Sequence, residues 1–192
     1  MNKYKLLHHD TVMRGTTLLY RIQALHSFGN IDKGELGGYV EKESNLSHER
    51  DAWVYDNARI YDNARIYDNA RVYGNAWVCG NACVYDNACV YDNAWVYGNA
   101  CVYRSARVYG NARVCGDASV SRTLINLTGL SYNATITDNH LRIGCKQYKT
   151  EKWFTFSNKH ILGMDGKDAL KFWKVYSPLL RVLCTQHALS LK

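Results

Sequence analysis

Proline is almost missing from this chain: Pro178 is the only one, so no proline-rich linker divides it. Long hydrophobic runs are missing too. No stretch of about 18 apolar residues occurs, which excludes a predicted membrane-spanning helix. The opening MNKYKLLHHDTV has no apolar core behind its basic residues, so no signal peptide is expected and a cytoplasmic location is. There is no Gly-rich phosphate loop, no Ser-His-Asp layout and no Cys-x-x-Cys pair. Histidine is absent between residues 54 and 120; the seven are His8, His9, His26, His48, His140, His160 and His187.

Seven cysteines are present, at 79, 83, 89, 101, 115, 145 and 184. An odd number, five of which fill slots that hold Tyr or Arg elsewhere, points to substitution within a template and to reduced thiols. Cys79 and Cys83 have no neighbouring histidine, so no zinc site, and no metal or cofactor of any kind, is expected. The formal net charge is +7. Residues 1–53 hold seven basic and seven acidic side chains, residues 54–120 six and six, and residues 121–192 eleven and four. Attraction for anions therefore belongs to the last segment, and the middle is not a general rod for double-stranded DNA.

The middle of the chain is a repeat. Val or Ile recurs every six residues from Val54 to Val120, and Ala stands two residues before each, from Ala52 to Ala118. Six is not a helical period. In a strand, Ala and Val of Ala-x-Val-Tyr point to one side while x and Tyr point to the other. The Asp/Gly-Asn that follows is turn chemistry, because glycine and asparagine accept left-handed backbone. A twelve-strand antiparallel meander would leave its apolar face in water. A three-sided solenoid lines its interior with that face, and each coil covers the next. The solenoid is the expected architecture.

Val72-Tyr73-Gly74-Asn75-Ala76-Trp77 and its neighbours resemble the hexapeptide repeat of the left-handed parallel β-helix superfamily. The resemblance covers about residues 52–121. It implies a mainly β protein with a left-handed helix of about four coils, three strands per 18-residue coil, and a homotrimer with parallel axes. The second position, often Gly in that family, is usually Tyr here. The flanks, LLYRIQALHSFGNIDKGELGGYV before the repeat and ITDNHLRIGCKQYKTEKW after it, resemble uncharacterised bacteriophage and prophage proteins. Many relatives in the superfamily are acyltransferases that use a histidine at or beside the coils, and others are zinc carbonic anhydrases. With no histidine and no expelled loop among these hexads, a non-enzymatic protein is expected, with an acyltransferase or a structural trimeric scaffold as alternatives.

Eighteen residues per coil places residues 18 apart above one another. Tyr55, Tyr73, Tyr91 and Tyr109 form one expected ladder, and Tyr67, Tyr85 and Tyr103 a second. These are the candidate subunit interface, or simply stabilising stacks. Arg59, Trp77, Trp95 and Arg113 form a third column, a candidate site for a nucleotide or a partner protein. Cys83 and Cys101 also fall in line, and the asparagines at the corners should form side-chain ladders.

Residues 1–51 read as an N-terminal β cap with a hairpin around Met13-Arg14-Gly15. Val40 and Leu46 lead into the repeat, with a small bulge near His48–Arg50 because Leu46 to Val54 is eight residues. Residues 122–192 read as a hairpin turning at Asp138-Asn139, followed by short helices. Ser157 and Asp165 are expected N-caps, and Pro178 is expected to open the last helix. Lys167, Lys171 and Lys174 share one helical face, opposite Leu170, Trp173 and Tyr176. That face is a candidate surface for an anionic ligand or partner. The function expected is binding: inhibition of a bacterial host defence, by occupying a defence protein or by sequestering an anionic nucleotide signal.

Overall fold

Each six-residue unit builds one short strand and one sharp corner. The computed structural model describes residues 2–190. Three longer strands come first: β1 (Tyr4–Arg14), β2 (Thr17–Ala24) and β3 (Leu36–Val40). Twelve two-residue strands follow at six-residue intervals, from β4 (Trp53–Val54), β5 (Arg59–Ile60) and β6 (Arg65–Ile66) through β7 (Arg71–Val72), β8 (Trp77–Val78) and β9 (Cys83–Val84). They continue as β10 (Cys89–Val90), β11 (Trp95–Val96) and β12 (Cys101–Val102), then β13 (Arg107–Val108), β14 (Arg113–Val114) and β15 (Ser119–Val120). Every third strand pairs in parallel with a register of eighteen residues, as in Trp95 against Trp77 and Val90 against Val72. The repeat is therefore a three-sided β-solenoid and not a meander.

One face stacks β3, β5, β8, β11 and β14, the second β4, β7, β10 and β13, the third β6, β9, β12 and β15. The shaft makes about five turns, one more than expected. The lead-in segment already forms a turn, because Val40 pairs with Ile60 and Leu46 bridges Ile66. Both pairs lie twenty residues apart, so two extra residues are absorbed before Val54. Arg50, at φ 53°, marks the expected bulge.

The Val/Ile and Ala positions of the repeat are essentially inaccessible along the whole shaft. At the Asp-Asn and Gly-Asn corners the left-handed residue is the first, not the Asn: Asp56, Asp62, Asp68, Asp86 and Asp92 have φ between 52° and 60°, and Arg104, before Ser105, takes the same conformation at 57°. Aspartate is useful there because its carboxylate reaches the coil above. Asp56, Asp62 and Asp92 accept from the backbone N–H groups of Gly74, Gly80 and Gly110 at 2.9–3.0 Å. The asparagines form the expected ladder, Asn63 to Asn81 to Asn99 and on to Asp117.

The open end of the first coil is closed by the N-terminal segment. β4 ends its face, so carbonyls there have no coil beneath them. The Lys3 ammonium takes two, donating to Ala52 O at 2.7 Å and Arg50 O at 3.2 Å. Burial pushes its pKa down to about 8. Tyr4 donates to Glu43 O and Leu46 O, stacks on His48 and meets the buried Trp53 edge-on. The outermost strand, β1, pairs with β2 through a register shift between Leu7 and Thr11, a bulge that blunts an otherwise free edge.

Residues 1–123 form one compact unit and residues 124–192 another. The second holds an antiparallel four-stranded meander, β16 (Ile125–Leu127), β17 (Ala134–Ile136), β18 (His140–Ile143) and β19 (Lys146–Lys149), then α1 (Thr150–Trp153) and α2 (Asn158–Leu189). β17 and β18 are the expected hairpin around Asp138-Asn139. Ser157 caps α2, accepting from His160 N. The helices are not all short. α2 is broken only at Asp165-Gly166, where the backbone leaves helical values, and it then runs through Pro178 to Leu189. Pro178 does not open a helix. Phe172 lies before it and Leu180 and Cys184 after it, all buried in one core with Trp153 and Leu141, and that packing holds the axis across the lost hydrogen bond. Asp165 accepts from the Tyr132 hydroxyl at 2.6 Å. No described helix is long and apolar enough to cross a membrane.

Candidate functional site

The Arg-Trp column stands on the five-layered face. In-register pairing puts Arg59 under Trp77, Trp77 under Trp95 and Trp95 under Arg113. The indoles are parallel, 7° between planes, with centroids 4.8 Å apart. Arg59 lies 5.4 Å from the Trp77 ring and Arg113 4.9 Å from Trp95. A third guanidinium, which the repeat gives no hint of, comes from the hairpin tip: Arg14 sits 4.1 Å from the Trp77 centroid. Each indole therefore has a ring on one side and a cation on the other. An incoming base could stack only by displacing an arginine. What the column offers outward is the edges of two indoles and three guanidiniums.

The tyrosine ladders form as the eighteen-residue spacing requires. Tyr67 and Tyr85 stack at 4.9 Å and 4°, Tyr73 and Tyr91 at 4.9 Å and 3°. Tyr103 and Tyr109 extend the two ladders, while Tyr55 meets Tyr73 edge-on. Burial pushes the Tyr67 hydroxyl up to about 12. Tyr61, on another corner, also reaches about 12, through burial first and then a hydrogen bond with Cys79.

In the C-terminal unit, Lys167, Lys171 and Lys174 are all exposed on α2. Beside them runs an apolar row that the lysine spacing did not reveal: Val175, Leu179, Val182 and Leu189 are 60%, 49%, 57% and 55% exposed. Arg181 continues the basic side. The signal was available as apolar residues at 175, 179, 182 and 189, a spacing of four, three and seven that repeats on one helical face.

Cys184, His187 and Asp138 carry the residue types of a nucleophile, a base and its orienting acid. His187 Nε2 lies 3.4 Å from Asp138 Oδ1, both largely buried. However, burial drives the Cys184 thiol up to about 11, the reverse of an activated nucleophile. The same unit contains a cavity of about 200 Å³ walled by Trp153, Ile161, Phe172 and Trp173, with Cys145 and Lys146 also in its lining. Cys79 and Cys83 belong to strands or corners on different faces, and no disulfide joins the cysteines. No group of three or more His, Cys, Asp or Glu side chains placed to hold a metal ion occurs among the described residues.

The stacked parallel strands define a β-solenoid repeat protein. Two segments, residues 64–80 and 106–122, match the YdcK beta solenoid repeat. Both lie within the shaft. No curated protein matches the chain.

Proposed function

We propose that the protein works by binding another protein, without catalysis, and that its partner presents an acidic, partly apolar surface to α2. The exposed row Val175, Leu179 and Val182 beside Lys167, Lys171, Lys174 and Arg181 carries this reading. Apolar side chains left in water along a helix favour burial, and the basic side selects for acidic partners. The excess positive charge of the chain is concentrated in the same segment. The resemblance of the flanks to phage and prophage proteins makes the partner a component of a bacterial host defence, met in the host cytoplasm. The repeat resembles hexapeptide proteins that assemble as homotrimers, so three copies with parallel shafts are proposed, their tyrosine ladders turned towards neighbouring subunits.

A second reading is supported by the three guanidiniums around Trp77 and Trp95: sequestration of an anionic nucleotide signal. It is the weaker one, because both indoles are already stacked on each side. An acyltransferase is weaker still, since no histidine lies on the coils between 54 and 120.

The test is protection of phage growth in bacteria carrying a defence system, comparing the full chain with a Lys171→Glu, Val182→Glu variant. Loss of protection, together with loss of a defence component from the affinity-purified protein, supports the reading. Equal protection by the variant overturns it. Arg14→Ala with Arg113→Ala abolishing protection instead would favour the nucleotide reading. Native mass spectrometry of the purified chain reports the trimer and any bound nucleotide together.

A further inference from the structure

One face of the shaft carries a column that binding through α2 does not use. Arg65, Cys83, Cys101 and Ser119 stand in register on successive coils. Cys83 and Cys101 are half-buried and unpaired. Their thiols are held alike: Cys83 Sγ lies 3.9 Å from Asn81 O, and Cys101 Sγ 3.8 Å from Asn99 O. Stacked side chains on this shaft repeat at 4.8 Å for the Trp77–Trp95 pair, 4.9 Å for Tyr67–Tyr85 and 5.4 Å for Tyr85–Tyr103, which stands on the same two coils as the thiols. Two thiols oriented alike are separated by about the same distance.

That distance discriminates between two outcomes. A disulfide brings its Cβ atoms to roughly 3.8 Å. Pairing would therefore squeeze coils that hydrogen bonds such as Cys83 N to Ala100 O, at 2.9 Å, hold apart. A two-coordinate metal asks for no such movement. Two short metal–thiolate bonds in line span somewhat less than the coil spacing, and small rotations about χ1 bring the two sulfurs to that separation while the coils stay in place. Zinc is excluded by its need for four ligands, whereas thiolates select soft ions such as copper(I).

We propose that Cys83 and Cys101 form a linear two-thiolate site for copper(I). Loading breaks two S–H bonds, forms two S–Cu bonds and releases two protons to water. The copper stays in the +1 state, so no oxidant or reductant takes part. The bis-thiolate complex carries one negative charge. Arg65, whose guanidinium nitrogen lies 3.9 Å from Cys83 Sγ, is placed to offset it. Both thiols give up their protons on loading, so uptake is coupled to proton release.

The full chain, reduced and kept without oxygen, is titrated with copper(I) against a coloured copper(I) chelator. One copper per chain is withheld from the chelator, with a thiolate-to-copper absorption in the near ultraviolet and two sulfurs around the metal by X-ray absorption. Cys83→Ser and Cys101→Ser each lose the advantage of a second ligand on the same scaffold, roughly 10²–10⁴ in affinity. Cys89→Ser, on a different face, retains it, and Arg65→Gln weakens it. Unchanged circular dichroism and melting of the serine variants show that the shaft is intact. The proposal fails if no copper is withheld, if the Cys83→Ser, Cys101→Ser double variant withholds as much, or if the pair forms a disulfide in preference to binding the metal. None of these readouts depends on α2.

Discussion

The two units solve the same problem with opposite materials. In the shaft, residues 52–120, the interior is lined by Ala, Val and Ile, laid down every six residues and withdrawn from water, while the buried Trp53 packs against Tyr4 and Phe28 of the N-terminal segment. Each strand is two residues long, and its partners are the same positions one coil away. In the C-terminal unit the core is Trp153, Phe172, Ile161, Leu141 and Leu180, drawn from strands and helices in no fixed order. The shaft spends its aromatics and arginines outside, as ladders, whereas the C-terminal unit puts its aromatics inside and leaves valines and leucines out on α2. A repeat needs no large side chain to fill its narrow interior, so its large residues are free to stack. An irregular core needs them, and the helix that supplies them shows its other face to solvent.

The sharpest way to break this comparison is a charge inside the shaft. Val84→Asp buries an unpaired carboxylate between coils and should cost roughly 4 kcal/mol or more. Hydrogen exchange should then show lost protection around residues 60–108, while residues 124–190 keep theirs. Uniform loss across both units would mean that they do not fold separately. Next in size is Trp153→Ala, which removes an indole stacked near Trp173 and hydrogen-bonded to Leu141 O. A loss of about 3–5 kcal/mol is expected, confined to the C-terminal unit and measured by urea denaturation.

Two glycines sharpen the contrast. Gly98 has φ 73°, and a Cβ there would stand 2.8 Å from Gly116 N. Gly166, in the break of α2, has φ 65° with open space around it. Gly98→Ala should therefore lose about 1–3 kcal/mol, against about 1 kcal/mol for Gly166→Ala. Equal losses in denaturant titrations would show that the left-handed backbone alone, and not the approach of the next coil, sets the price.

The smallest effect is a pH dependence. An unfolded tyrosine loses its proton near 10, but Tyr61 and Tyr67 hold theirs to about 12. Between those values the folded shaft binds more protons than the unfolded chain, so stability is fully present below pH 10 and falls between pH 10 and 12. Melting followed by circular dichroism should show the decline, and Tyr67→Phe should reduce it.

Much of the shaft was legible in advance. The period of six, the inward Val and Ala, the eighteen-residue columns, the asparagine ladder and the bulge before Val54 all follow from local spacing. At the corners that hold Asp-Asn, local preference points to Asn, yet Asp takes the left-handed position, where its carboxylate reaches the backbone of the next coil. Pro178 departs from its local expectation for a different reason. A proline looks like a helix start from its neighbours alone, and only the buried Phe172, Leu180 and Cys184 explain why the helix continues through it. Of the candidate site, the Arg59, Trp77, Trp95 and Arg113 column was visible, but Arg14 was not.

The repeat by itself determined the solenoid, because every hexad carries the same local instruction and its partner is always eighteen residues away. The tertiary structure alone decided which aromatic faces remain open. Arg14 reaches Trp77 across more than sixty residues, and the exposed row on α2 exists only because Trp153, Phe172 and Leu180 claim the opposite side. Such contacts join segments that share no period, and a linear pattern carries no record of them.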